Sequence, residues 1–205
     1  MLTRICCHAD MHAPAFLSDI PEFLQPLADP EPGLTVAVMV SSVDGRATVG
    51  GHVGDLTGPA DQRVLLGMRE LAAAVVVGGR TVRVEGYEGL LGDEAKARRA
   101  ARGVPPEPEL VVFTRASPPL PELWQELRRR HPQGLIVCEG GPTLLGMVVA
   151  HGLLDQLVLG ISPQIVGDAG QKRLLEHGGA LDIDLELRSG VSSDGFLFLR
   201  YGVRR

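Results

Sequence analysis

From Leu34 onward the chain alternates short, β-branched apolar runs with segments of helical period, and this alternation is what most narrows its fold. Strands that read as continuous apolar runs are buried on both faces, as in a mainly parallel sheet covered by helices. The runs are Leu34 to Val40, Ala73 to Val77, Leu110 to Phe113 and Gly134 to Cys138. Gln156 to Ile161, Asp182 to Leu187 and Phe196 to Tyr201 read as further strands closing one side of the sheet. Helical period predicts helices from about Thr57 to Leu71, from Asp93 to Arg102, from Pro121 to Arg130, and from the Glu139 to Thr143 turn to near His151. Thr57 is expected to cap the first, with Pro59 in its first turn and Asp61 as its early carboxylate.

The chain has 205 residues. At roughly 150 residues per domain, that suggests one compact domain with additions. Residues 34–205 are read as that domain, and the proline-bearing residues 1–33 as an arm or lead-in. No stretch has the makings of a signal peptide or membrane span. Three cysteines make no even disulfide framework, which suits a cytoplasmic protein. A net charge of −5 and an aromatic content of 4% argue against nucleic acid and anionic membrane as partners. Cys6, Cys7, His8 and His12 fit no standard zinc spacing, so no metal is expected.

Glycine is over-represented, 26 residues of 205, against an average of about 7%. Two glycine pairs, Gly78-Gly79 and Gly140-Gly141, stand where a buried strand hands over to a helix. Such a junction suits a phosphate, and it also serves a tight turn with no ligand. Neither pair belongs to a G-x-G-x-x-G or P-loop pattern, and the chain has no G-x-S-x-G and no zinc-deaminase signature. Glu139 lies at the carboxyl end of a buried strand, the lip at which α/β sheets bind ligands, or it is a structural acceptor there. Arg115 ends another strand, where a guanidinium either clamps the 2′-phosphate of a dinucleotide or is merely solvated. Asp44 is read as forming a turn with Gly45.

Together, Ser41-Ser42-Val43-Asp44-Gly45-Arg46, the segment from Arg69 to Glu85, and Glu139-Gly140-Gly141-Pro142 resemble the reductase domain of riboflavin biosynthesis. That family comprises the reductase half of the bacterial deaminase-reductase and its stand-alone relatives. The resemblance implies an α/β, dihydrofolate-reductase-like three-layer fold, with a central, mostly parallel sheet flanked by helices and an antiparallel C-terminal strand pair. It also implies a cytoplasmic homodimer that uses NADPH to reduce the ribosyl group of a phosphoribosylaminopyrimidine to a ribityl chain. The readings kept beside it are a reductase of a pterin or other heterocycle, and a non-catalytic NADPH-binding protein.

By resemblance, Ala37, Gly78, Gly79, Thr81, Glu85, Thr114, Arg115, Gly140, Gly141, Pro142, Thr143 and Leu144 fall at cofactor positions. Arg69, Gly54, Asp44 and Glu139 fall at substrate positions, and Glu139 and Arg46 are the candidate catalytic residues. The sequence departs from the family pattern at Gly54, where many members have Ser, and at Leu56, where they have Trp. Gly89 to Gly92 occupies the region of an expected substrate-binding arginine, and the deaminase domain is absent from the sequence given.

Overall fold

The computed structural model describes residues 15–28, 30–87, 89–168 and 171–205. The Cys6, Cys7, His8 and His12 group lies outside the described residues, and among these no cluster of side chains suits a metal ion. The strands are β1 (Ala15–Phe16), β2 (Thr35–Ser42), β3 (Ala72–Gly78), β4 (Glu109–Phe113), β5 (Leu135–Cys138), β6 (Gln156–Ser162), β7 (Leu185–Ser193) and β8 (Phe196–Val203). They form one sheet in the order β1-β7-β8-β6-β2-β5-β3-β4. The block from β6 through β2, β5 and β3 to β4 is parallel, and β8 runs antiparallel to both β6 and β7. This is the expected architecture of a mostly parallel sheet with an antiparallel C-terminal pair.

The helices are α1 (Ile20–Leu24), α2 (Pro59–Leu71), α3 (Gly79–Glu85), α4 (Asp93–Ala101), α5 (Leu120–Arg130) and α6 (Pro142–Ala150). Alternation along β2 divides the core in two, since successive side chains leave a strand on opposite faces. Val36, Val38 and Val40 pack with Val64 and Met68 of α2 and with Phe23 of α1. Ala37 and Met39 pack on the other face with Trp124 and Leu127 of α5 and Leu145 and Val148 of α6. A strand covered on both sides has no polar face, which is why the Leu34 to Val40 run shows no alternation.

Three local expectations change. The Thr57 hydroxyl donates to the Gly54 carbonyl (3.0 Å) instead of capping α2, whose N-cap is Gly58. The strand expected over Asp182 to Leu187 begins at Leu185 and runs to Ser193. Its polar second half, Arg188 to Ser193, is ordered by pairing with β8 and with β1, a tertiary effect with no hydrophobic signature. The lead-in is built into the domain: β1 pairs with β7, and Ile20, Phe23, Leu24 and Leu27 are buried in the core. Between β7 and β8, Asp194 and Gly195 take φ of 51° and 81°, the double left-handed turn that a tight hairpin requires.

Candidate functional site

β2 lies between β5 and β6, the strands that precede and follow α6, so its carboxyl end is a switch point of the sheet, where α/β folds leave a crevice. A cavity of about 510 Å³ opens there. It is walled by β2, by the length of α2, by α3, and by the turn leading into α6.

The glycine turns form one wall. The Gly78 amide donates to the Gly140 carbonyl (2.7 Å), and the Gly141 amide donates to Thr81 Oγ1 (3.0 Å), so the two strand ends are laced together. Gly140 has φ of 75° and is joined to Gly141 by a cis peptide. A Cβ on Gly140 would come within 2.6 Å of Met39 Sδ, and one on Gly79 within 2.9 Å of Thr114 Cγ2. The positive φ of Gly140 favours glycine there, and the packed Met39 and Thr114 side chains crowd any added Cβ, so the turn presents a small cradle of main-chain groups leading into the nine-residue α6, whose first residue is Pro142. α3, at seven residues, is too short to add a comparable helix terminus.

A charged cluster forms the second wall. Arg69, in the last turn of α2, donates from Nε to Glu139 Oε1 (2.6 Å) and from Nη2 to Oε2 (2.8 Å). The Tyr87 hydroxyl donates to the same Oε2 (2.6 Å), and the guanidinium lies over the Tyr87 ring at 5.0 Å. The Glu139 side chain is only 3% exposed and that of Arg69 11%. Burial alone would lower the Arg69 pKa, but its hydrogen bonds and charge pairing with Glu139 outweigh that and raise it. Burial, and then the Glu139 charge, push the Tyr87 phenol well above its ordinary value, so it stays protonated and a donor. With about four lone-pair positions and three protein donors, the carboxylate keeps roughly one for a ligand.

A different carboxyl also lines the cavity. Asp61, in the first turn of α2, is 8% exposed and has no side-chain hydrogen bond or ion pair among the described residues. Burial raises its pKa from 3.8 to about 6.

Of the residues singled out from sequence, Gly54, Arg69, Gly78, Thr81, Glu85, Glu139, Gly141, Pro142, Thr143 and Leu144 line this cavity. Gly79 and Gly140 lie just behind its wall, and Thr114 touches Gly79. Arg115 follows in the turn beyond β4. Ala37 is fully buried in the α5–α6 core, with no surface toward the cavity. Asp44 and Arg46 are also elsewhere. Asp44 accepts from the Ser42 hydroxyl (2.6 Å) and from the amides of Val166 (3.0 Å) and Gly167 (2.7 Å), which hold its carboxyl down at about 2. Arg46 pairs with Asp168 (2.8 Å), and its Nε is buried without a partner. The two residues clasp the loop after β2 to the loop after β6.

Lining residues that the sequence reading does not single out include Tyr87, Asp61 as a cavity group, and Lys172. Asp61 was visible only as a helix-start carboxylate. Tyr87 follows Gly86, a helix C-cap at φ 71°, which turns the chain back over the cavity. Lys172 lies in a long irregular loop that carries no periodic signal.

Solved structures of the same fold include a pyrimidine reductase-like protein from Corynebacterium diphtheriae, 23% identical over 89% of this chain and 95% of that one, with a TM-score of 0.75. A second is the diaminohydroxyphosphoribosylaminopyrimidine deaminase/5-amino-6-(5-phosphoribosylamino)uracil reductase of Thermotoga maritima, 16% identical, with a TM-score of 0.57. This chain is covered over 89% of its length and spans 59% of that longer protein. A third is dihydrofolate reductase from Enterococcus faecalis, 13% identical over 85% and 99% of the two chains, with a TM-score of 0.55. At these identities the likeness is one of fold. No curated protein matches the chain. The family model described as the RibD C-terminal domain matches residues 34–194, a span that holds the whole cavity wall from β2 through α6 and on to Lys172. The chain therefore belongs to the RibD C-terminal domain family, the reductase family of riboflavin biosynthesis.

Proposed function

We propose that this chain is an NADPH-dependent reductase that converts the ribosyl group of a phosphoribosylaminopyrimidine to a ribityl chain. The observation that carries the reading is that the laced glycine turns and the buried Arg69, Glu139 and Tyr87 cluster open into one cavity. A glycine cradle at Gly140, crowded by Met39 and with Thr81 and the start of α6 beside it, fits the diphosphate of a dinucleotide. Gly78, Thr81 and the residues from Gly141 to Leu144 would hold that part of the cofactor, with Thr114 and Arg115 toward its adenosine end. When bound, NADPH supplies a hydride, and the protein contributes position and electrostatics.

Val38, Met39, Val40 and Leu65 give the cavity apolar walls that exclude water from the reacting carbon. Glu139, fixed by three donors, offers its remaining acceptor position to a hydroxyl or N–H of the substrate. Arg46 does not enter this reading, because its guanidinium is paired with Asp168 and it is not among the residues that line the cavity. Arg80 provides positive charge on the lining for a phosphorylated substrate, and Lys172, paired with Glu176 (3.1 Å), lies on the same lining. The family reading also carries a homodimer and a cytoplasmic location, tested by light scattering and by fractionation.

The test is to mix purified protein with NADPH and, in parallel, NADH, and to follow the reduced-nicotinamide absorbance on adding the ribosylaminopyrimidine phosphate or dihydrofolate. Consumption of NADPH with the first substrate supports the reading. Consumption only with dihydrofolate identifies a reductase of another heterocycle, and NADPH binding without turnover of either identifies a non-catalytic binder.

A further inference from the structure

Arg99 of α4 is 2% exposed and does not line the cavity, yet its guanidinium is devoted to backbone beside the charged cluster. Nη1 donates to the carbonyls of Glu70 (2.7 Å) and Ala72 (2.6 Å), and Nε donates to that of Pro105 (2.8 Å). The cause lies at the end of α2. That helix passes into β3 with no intervening residue, from Leu71 to Ala72, and the register of β3 on β5 shifts between Ala72 and Ala74. The last carbonyls of a helix have no partner within it. The Ala72 amide serves those of Met68 and Arg69, and the Glu70 and Ala72 carbonyls are left to Arg99. Burial, and then the nearby Arg102 charge, push the Arg99 pKa down. Its place at the negative end of the α2 dipole and its three carbonyl acceptors are what hold the cation there.

Glu70 directly follows Arg69, so this grip falls on the backbone that carries the cluster. The preceding arginine adds a second hold, as Arg98 donates from Nε and Nη2 to the two Glu70 carboxylate oxygens (2.9 and 2.8 Å). The same helix also steadies the far side of Arg69. Lys96 pairs with Glu107 (2.8 Å), Glu107 accepts from the Leu90 amide (3.3 Å), and the Leu90 carbonyl faces Arg69 Nη1 at 3.5 Å. Leu90 and Leu91 are buried in the core that also holds Val64 and Met68 of α2. α4 therefore braces the cluster from two directions while contributing no residue to the cavity lining.

We propose that Arg99 is a positioning residue: by satisfying the Glu70 and Ala72 carbonyls it fixes the last turn of α2, and so the aim of Arg69 at Glu139. Its effect on turnover rests on the reductase reading above, whereas its effect on Arg69 does not. Loss of this grip lets the last turn fray and shifts the acceptor that Glu139 presents to a substrate. A misplacement of about 1 Å in such a group costs a reaction up to about a hundredfold.

The experiment compares the wild type with Arg99→Met, Arg99→Lys and Arg98→Ala. Methionine keeps a buried stem and removes every donor, and lysine keeps the charge with three donors. Alanine at 98 removes only the exposed pair with the Glu70 carboxylate, a kind of contact that contributes little. One readout is hydrogen exchange of the Arg69 Nε–H by NMR, set against the amides of β2 and β6. The other is kcat and KM for the phosphoribosylaminopyrimidine, with NADPH affinity by calorimetry.

Arg99→Met is expected to speed exchange at Arg69 Nε–H roughly tenfold beyond any change in the strand amides. It should lower kcat/KM by roughly tenfold with NADPH affinity unchanged, since the glycine turns lie on the other wall. Arg99→Lys should recover part of both effects, and Arg98→Ala should match the wild type. A residue that only stabilises the fold would speed all exchange alike and reduce the active fraction with KM unchanged. That pattern, or unchanged Arg69 exchange, or an Arg98→Ala defect as large as that of Arg99→Met, overturns the proposal. Where the methionine variant does not fold, the lysine variant decides by the same two readouts. A wild type that turns over no candidate substrate overturns the reductase reading alone, because exchange at Arg69 still answers for Arg99.

Discussion

Arg69 and Glu139 are seventy residues apart in sequence and are joined by a two-pronged ion pair of 2.6 and 2.8 Å, one partner at the end of a helix and the other at the end of a strand. Taking both charges from water is costly, and their geometry together with the Tyr87 hydroxyl offsets the cost. Removing one partner leaves a buried charge. Arg69→Met should destabilise the fold by about 3–5 kcal/mol. Tyr87→Phe, which removes one hydrogen bond to a charged group, should cost about 1.5–3 kcal/mol. Urea unfolding measures both. The Tyr87→Phe enzyme should fold and show its defect in turnover, because the position of Glu139 is loosened without loss of the ion pair.

The passage of Gly140 past Met39 gives a second prediction. An alanine there meets both a left-handed φ of 75° and a sulfur 2.6 Å from its Cβ. Strain and overpacking together should cost about 2–4 kcal/mol. If this turn holds the dinucleotide, NADPH should also lose its stabilising effect on the variant, read as the difference in melting temperature with and without the cofactor. Retention of the full NADPH shift would assign the turn a purely structural role.

Asp61 predicts the direction of a pH effect. Its pKa in the folded protein is raised from 3.8 to about 6 by burial. The native state therefore holds this proton more tightly than the unfolded chain does, so stability from this group is full below about pH 4 and falls as pH rises through 6. The loss is at most about 3 kcal/mol for a shift of this size. Asp61→Asn should remove this dependence and melt at a higher temperature than the wild type at pH 8.

Asp44 should behave in the opposite sense. Hydrogen bonds from Ser42, Val166 and Gly167 hold its pKa down at about 2, so its contribution is present above about pH 4 and disappears as pH falls through 2. Asp44→Ala should free the loop after β2 from residues 164–168, seen as faster amide exchange at Val166 and Gly167. Unchanged substrate KM in that variant would assign Asp44 to the loop clasp, and a raised KM would return it to the substrate site, where the family resemblance puts it.

Much of the parallel sheet was legible because its strands are buried on both faces and its helices are amphipathic. β2, β3 and β5 announce themselves as unbroken apolar runs, and α5 shows its buried face through Leu120, Leu123, Trp124 and Leu127. The second half of β7 was not legible, because Arg188 to Ser193 is polar and becomes a strand only through its neighbours on either side. The site divides in the same way. Glycine pairs at strand ends, and a carboxylate directly after β5, are local features, so Gly78, Gly141 and Glu139 were found. Tyr87, Asp61 and Lys172 come from a post-helix turn, a helix face and an irregular loop, and no local pattern marks them as sharing a cavity.

The sequence by itself determined the parallel block of strands, most of the helices around it and the positions of the glycine turns, because periodicity and glycine placement act over a few residues. Only the tertiary structure decided which charges are spoken for. Arg69 and Tyr87 commit Glu139, Asp168 pairs with Arg46, and Asp61 is left buried with no hydrogen-bond partner among the described residues. Hydrogen bonding and desolvation depend on distances between residues remote in the chain, and those distances exist only once the sheet has brought its strand ends together.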